Sequence, residues 1–229
     1  MVRNSGTASA ACQPESLQMK SIVILISGRG SNLQALLEAD LPKCRIVAIS
    51  NRPDAAGLEV ARQRSVVTTV VDHRDFAARA DFDAALAEAI EIHQPDLVAM
   101  AGFMRVLGDD FVRRFEGRLM NIHPSLLPAF PGVRTHAQAL AAGVKIHGCS
   151  VHFVTAVLDT GPIVIQAAVP VRAGDTEETL AARVLDQEHV IYPRALRWFL
   201  EGRLSLSAGQ VLVDGETSPD AFLVVPSVQ

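Results

Sequence analysis

Seven short apolar runs, each set apart from the next by helical or turn-forming segments, constrain this chain more than anything else in it. Residues 22–26, 45–50, 66–70, 97–100, 118–122, 147–153 and 163–170 read as strands, and 31–38, 56–64, 76–93, 135–142 and 176–199 as helices. The strands are apolar almost throughout instead of alternating, the pattern of a parallel sheet covered on both faces. The expected fold is α/β, a doubly wound, mostly parallel sheet with helices on both faces, whose ligands gather beyond the carboxyl ends of the strands. The last two runs, joined by a short turn around Asp159-Thr-Gly-Pro162, are expected to pair antiparallel. Phe82, Leu86, Ile90 and His93 form one inward helical stripe, and Leu180, Val184, Ile191, Ala195 and Trp198 another, with Glu188 at its border. Asp175 with Glu178 resembles a capping box opening the last helix, and Pro193 predicts a kink in it.

With 229 residues, 49% of them apolar, the chain can bury one substantial core or two small ones. A net charge of −4, with no basic cluster and few aromatics, argues against nucleic acid as a partner. Cys12, Cys44 and Cys149 are odd in number and far apart, as expected of unpaired thiols in a reducing cytoplasm. No apolar segment approaches the roughly 20 residues that span a bilayer. Residues 1–19 are Ser/Ala/Gln-rich without the apolar centre of a secretory signal, and are expected to be a disordered extension, with Met19 as an alternative start. Residues 20–215 are expected to form a single domain and 216–229 a peripheral tail.

Four segments carry chemistry. Asn121-Ile-His-Pro-Ser-Leu-Leu-Pro128 ends a strand with an amide and an imidazole two positions apart, hence on one face. A carboxamide can donate to a developing oxyanion, and an imidazole can move a proton near neutral pH; together they suit acyl transfer. Ser27-Gly-Arg-Gly-Ser-Asn32 delivers glycines to a helix N-terminus, a cradle for an anion. Leu33 stands where a dinucleotide fingerprint needs its third glycine, and no Gly-Lys-Ser/Thr follows, so a single phosphate ester fits better than NAD or ATP. Ala101-Gly-Phe-Met-Arg-Val-Leu107 leaves the fourth strand at the switch point and offers Met104 and Leu107 to a flat ring. Asp159 lies in a turn, where Asp serves by default as a local cap; close to His123 its carboxylate would stabilise the imidazolium. Glu188, at a helix border where acids are usually solvated, could reach a ribose diol or an amine. No His/Cys spacing suggests a metal.

These segments, with His147-Gly-Cys-Ser-Val-His-Phe-Val154, occur in an order that closely resembles the phosphoribosylglycinamide formyltransferase family, from about residue 21 to about residue 202. The resemblance implies a Rossmann-like formyltransferase fold and transfer of a formyl group from 10-formyltetrahydrofolate to the amine of glycinamide ribonucleotide, in purine synthesis. It implies Asn121, His123 and Asp159 as the catalytic trio. Gly30, Ser31, Asn32 and Glu188 would hold the ribonucleotide. Met104, Arg105, Val106, Leu107, Asn121, Thr155, Ala156, Val157 and Leu158 would hold the folate, as would Arg79, whose surroundings align poorly. Arg29 replaces an Asn found in some members, a change that a backbone cradle tolerates. The protein is expected to be a cytoplasmic monomer or homodimer acting on small molecules without a metal. Formyltetrahydrofolate hydrolases share the core, but have a second His where this chain has Pro124 and carry an N-terminal regulatory domain. Methionyl-tRNA formyltransferases add a C-terminal tRNA-binding domain. The short stretches before residue 21 and after residue 203 speak against both.

Overall fold

The seven runs form one sheet in the computed structural model, which describes residues 19–215 and Val225. Its strands are β1 (Ser21–Ile26), β2 (Arg45–Ser50), β3 (Val67–Val70), β4 (Leu97–Met100), β5 (Leu119–His123), β6 (Ile146–Phe153) and β7 (Ile163–Pro170), in the order β3-β2-β1-β4-β5-β6-β7. The first five are parallel, and the order reverses between β1 and β4, the expected switch point. The β6–β7 pair is antiparallel as expected, but so is β5–β6. The helix between β5 and β6, α5 (Thr135–Ala141), has seven residues and rises only about 10 Å.

The remaining helices are α1 (Ser31–Glu38), α2 (Ala56–Gln63), α3 (Arg79–Glu91), α4 (Asp109–Arg114) and α6 (Glu177–Leu200). Alternation along β1 divides the core. Ile22, Ile24 and Ile26 pack with Leu33 and Leu36 of α1, Leu58 of α2, Ala139 of α5, and Leu180, Val184 and Ile191 of α6. Val23 and Leu25 face the other way, toward Phe82, Leu86 and Ile90 of α3 and Phe111 and Phe115 of α4. Each such fully buried side chain contributes roughly 1.5–3 kcal/mol of transfer free energy.

Several expectations shift. Residues 73–75 form a 3-10 turn capped by Asp72, whose carboxylate accepts from the Arg74 N–H, and α3 starts only at Arg79 after the extended Ala78. His93 lies beyond α3 and is half-buried. The α6 capping box is made by Thr176 and Thr179, not by Asp175 and Glu178; Asp175 instead accepts from Thr179 Oγ1 and holds Arg183 in a bidentate pair at 2.8 Å. Pro193 lies inside the 24 residues of α6, and Tyr192 rather than Trp198 fills its buried stripe. Helix α4 was not anticipated, although Asp109 and Asp110 in its first turn and Arg113 and Arg114 in its last match the helix dipole. Nor was a hairpin of β8 (Leu204–Ser207) and β9 (Gln210–Val213), turned by Ala208 and Gly209 at positive φ. The expectations for residues 1–18 and 216–229 fall outside the described residues, Met19 and Val225 apart. Among the described residues no helix is long and apolar enough to cross a membrane.

Candidate active site

The carboxyl ends of β1 and β4 meet at the switch point, where the Ala101 N–H donates to the Leu25 carbonyl at 2.9 Å. Two loops leave from there. Residues 28–30 lead into α1, and residues 102–108 lead into α4. Two cavities open around them, one of about 380 Å³ and one of about 560 Å³, sharing Asn32, Gly102, Met104, Pro124 and Glu188 in their walls.

Gly28, Arg29, Gly30, Ser31 and Asn32 line the larger cavity. Gly30 has φ +80, and a Cβ there would stand 2.4 Å from the Gly57 Cα, so the loop lies directly against the start of α2. Gly57 N–H fastens it by donating to the Gly28 carbonyl at 3.0 Å. No side chain caps the first turn of α1. Its free amides and partial positive charge therefore face the cavity. Glu188 is not the solvated border residue its position in the stripe suggested. It is buried, and the Asn32 Nδ2 donates to its Oε2 at 2.7 Å. Burial pushes the Glu188 carboxyl up, against the opposing effect of that hydrogen bond. The border of a helical stripe becomes interior here because α1 packs beside α6 at this point.

The smaller cavity contains the catalytic candidates. Met120 and Ile122 of β5 face the α6 side of the sheet, so Asn121 and His123 share the opposite face. The antiparallel register sets His152 beside Asn121 and Ser150 beside His123. Buried His152 hydrogen-bonds through Nδ1 to the Phe153 carbonyl at 3.0 Å, so its Nε2 accepts, and the Asn121 Nδ2 lies 3.3 Å away. This orients the carboxamide with its N–H groups known: one is directed at His152 and the second is free for the cavity. Burial lowers the His152 pKa, partly offset by the Phe153 carbonyl and Asp159. His123 is also buried; its Nε2 donates to the Phe130 carbonyl at 3.1 Å, and its Nδ1 lies 3.6 Å from Asp159 Oδ2. Asp159 sits at φ +53 and accepts from the Gly132 N–H at 2.8 Å, which ties its turn to the loop after β5. A Cβ at Gly161 would lie 1.7 Å from the Phe153 carbonyl oxygen, so only glycine lets the turn fold back this tightly.

Met104, Arg105, Val106, Leu107, Thr155, Ala156 and Leu158 line this same cavity with Asn121, His123 and Asp159. Val157 does not, and is 65% exposed. Arg79 is not in the wall either. It stands beside Gly108, its Nε 3.9 Å from Asp83 Oδ2. Sequence reasoning missed His152 and Ser27. Only the strand register could have paired His152 with Asn121, and only the neighbouring of β1 and β4 puts the Ser27 hydroxyl under the second loop. Among the described residues no group of three or more His, Cys, Asp and Glu is placed to hold a metal ion.

A doubly wound sheet with an amide, an imidazole and a carboxylate converging beyond its parallel strands defines an acyl-group transferase. Residues 20–196 match the formyl transferase family model, and the chain belongs to that family. It is 49% identical over 203 residues to the phosphoribosylglycinamide formyltransferase of Escherichia coli (strain K12), covering 87% of this chain and 96% of that one. Among solved structures, glycinamide ribonucleotide transformylase 1 from Symbiobacterium toebii superposes with a TM-score of 0.83 at 49% identity, covering 87% of this chain and 95% of the other. The phosphoribosylglycinamide formyltransferase of Coxiella burnetii gives 0.81 at 47% identity, covering 87% and 95%.

Proposed function

We infer that this protein is a phosphoribosylglycinamide formyltransferase, which moves a formyl group from 10-formyltetrahydrofolate to the amine of glycinamide ribonucleotide in purine biosynthesis, with residues 20–215 as one catalytic unit. The observation that carries the reading is the convergence of Asn121, His123 and Asp159 in one cavity adjoining the 28–32 cradle. Similarity to the two formyltransferases and the transformylase supports it.

In this reading the ribonucleotide phosphate lies on the amides of Gly30, Ser31 and Asn32, and Glu188 receives the ribose and glycinamide end. The pterin lies between the 104–107 loop and the 155–158 turn. The neutral amine attacks the formyl carbon and forms a tetrahedral oxyanion. The free N–H of Asn121 donates to that oxygen, and the His123 Nε2–H can exchange the Phe130 carbonyl for it. Removing one such donor costs about 2.7–4 kcal/mol of transition-state stabilisation. His123 then helps carry the proton from the attacking nitrogen to the departing folate nitrogen as the C–N bond breaks, while the Asp159 carboxylate, 3.6 Å from its Nδ1, stabilises the imidazolium that forms on the way.

Purified protein mixed with glycinamide ribonucleotide and 10-formyltetrahydrofolate should release tetrahydrofolate only when the ribonucleotide is present. Equal release without it would mean hydrolysis and would overturn the reading.

A further inference from the structure

We propose that Ser27 is a positioning residue that couples the two substrate cavities, a role that rests on the formyl-transfer reading above. Ser27 is buried and its hydroxyl makes two hydrogen bonds: it donates to Asn51 Oδ1 at 2.6 Å and accepts from the Met104 N–H at 2.8 Å. Asn51 is itself fixed, because its carbonyl accepts from both the backbone N–H and the ring Nδ1 of His73, at 3.2 and 2.8 Å. Ser27 immediately precedes the phosphate cradle, and Met104 lines both cavities.

Met104 is 73% exposed, so the protein packs little against it, and its amide is tied down by the Ser27 hydroxyl. A shift of residues 28–32 around a bound phosphate ester therefore moves Ser27 and, through one hydroxyl, the wall against which the pterin lies. The other end of that wall is held separately, by the Gly108 N–H donating to Asp83 Oδ2 at 2.8 Å, from a helix that does not line the cradle. Asp83 thus supports the folate side alone, whereas Ser27 holds the Met104 amide and leads directly into the cradle.

The test is calorimetric titration of tetrahydrofolate with and without glycinamide ribonucleotide. The wild-type protein should bind each ligand about five- to tenfold more tightly in the presence of the other. In Ser27→Ala both ligands should still bind, but the mutual factor should fall toward one; Ser27→Thr, which keeps the hydroxyl, should restore it. Asp83→Ala, which removes the acceptor of the Gly108 N–H, should weaken tetrahydrofolate binding and leave the factor intact. If Ser27→Ala does not fold, Asn51→Ala frees the hydroxyl to rotate and should produce the same loss of coupling. A wild-type factor of one, or a factor unchanged in the serine or asparagine variant, overturns the proposal. Absence of all ribonucleotide binding in the wild type overturns the functional reading instead, and the coupling with it.

Discussion

Asn32 and Glu188 stand 156 residues apart in sequence, yet the Asn32 carboxamide donates to the Glu188 carboxylate at 2.7 Å in the buried wall shared by both cavities. The bond locks the first turn of α1 to the middle of α6. Glu188→Gln keeps an acceptor for Asn32 and removes the charge. It should leave the melting temperature unchanged or raised, while raising KM for the ribonucleotide about tenfold. Glu188→Ala leaves the Asn32 amide unpaired and should cost about 1–3 kcal/mol in chemical denaturation.

Asn121→Ala removes the donor aimed into the smaller cavity. Its kcat should fall by about 10²–10³, with ribonucleotide affinity close to wild type. Single-turnover kinetics would separate the two quantities, and a change confined to KM would contradict the oxyanion role.

Asp159→Asn keeps the size of the side chain but removes the charge facing His123 Nδ1. The expected loss in kcat is about 10²–10⁴. The turn itself should persist, because the amide oxygen can still accept from Gly132 N–H. Steady-state rates across pH, combined with circular dichroism, check both halves of the statement.

Stability should fall on acidification. His147 is pushed from 6.5 down to about 4, chiefly by burial and further by His136, whose Nδ1 lies 3.2 Å from its Nε2. Between those values the unfolded chain binds a proton that the folded one refuses. The associated stability is therefore whole above 6.5 and is lost as pH drops through that window. His136 and His152, both lowered by burial, act with the same sign, whereas Glu188, raised, opposes them just above 4.5. Urea midpoints measured at pH 7 and pH 5 should differ in this direction, and His147→Gln should reduce the difference.

The buried Tyr192 hydroxyl lies 3.0 Å from the Met100 carbonyl, at the end of β4, and 3.3 Å from that of Met120, near the start of β5. Tyr192→Phe removes that donor while keeping the ring. A loss of about 1–3 kcal/mol is expected, measurable as a lowered denaturation midpoint at unchanged slope.

The centre of the sheet was legible because β1 and β4 are buried along their whole length and read as unbroken apolar runs. Ile22 to Ile26 could hardly be anything else. What escaped was whatever depends on a local conformation the side chains do not advertise. The β8–β9 turn uses Ala208 at positive φ where Asn or Asp would have signalled it, and α4 is only six residues long. In the site, Asn121 and His123 announce themselves by a spacing of two on one strand. The His152 contact needs the register of a second strand, and the burial of Glu188 needs the packing of α1 on α6. Tertiary proximity between distant segments has no local signal.

The reversal of direction at β6 has a consequence for how the protein comes into being. Asn121 and His123 leave the ribosome on β5, but His152 and Asp159 follow only after the chain has turned back, and Glu188 arrives later still on α6. A nascent chain that ends before β6 therefore has His123 without Asp159 and Asn32 without Glu188. On the proposed reading, formyl transfer waits until the last long helix has docked.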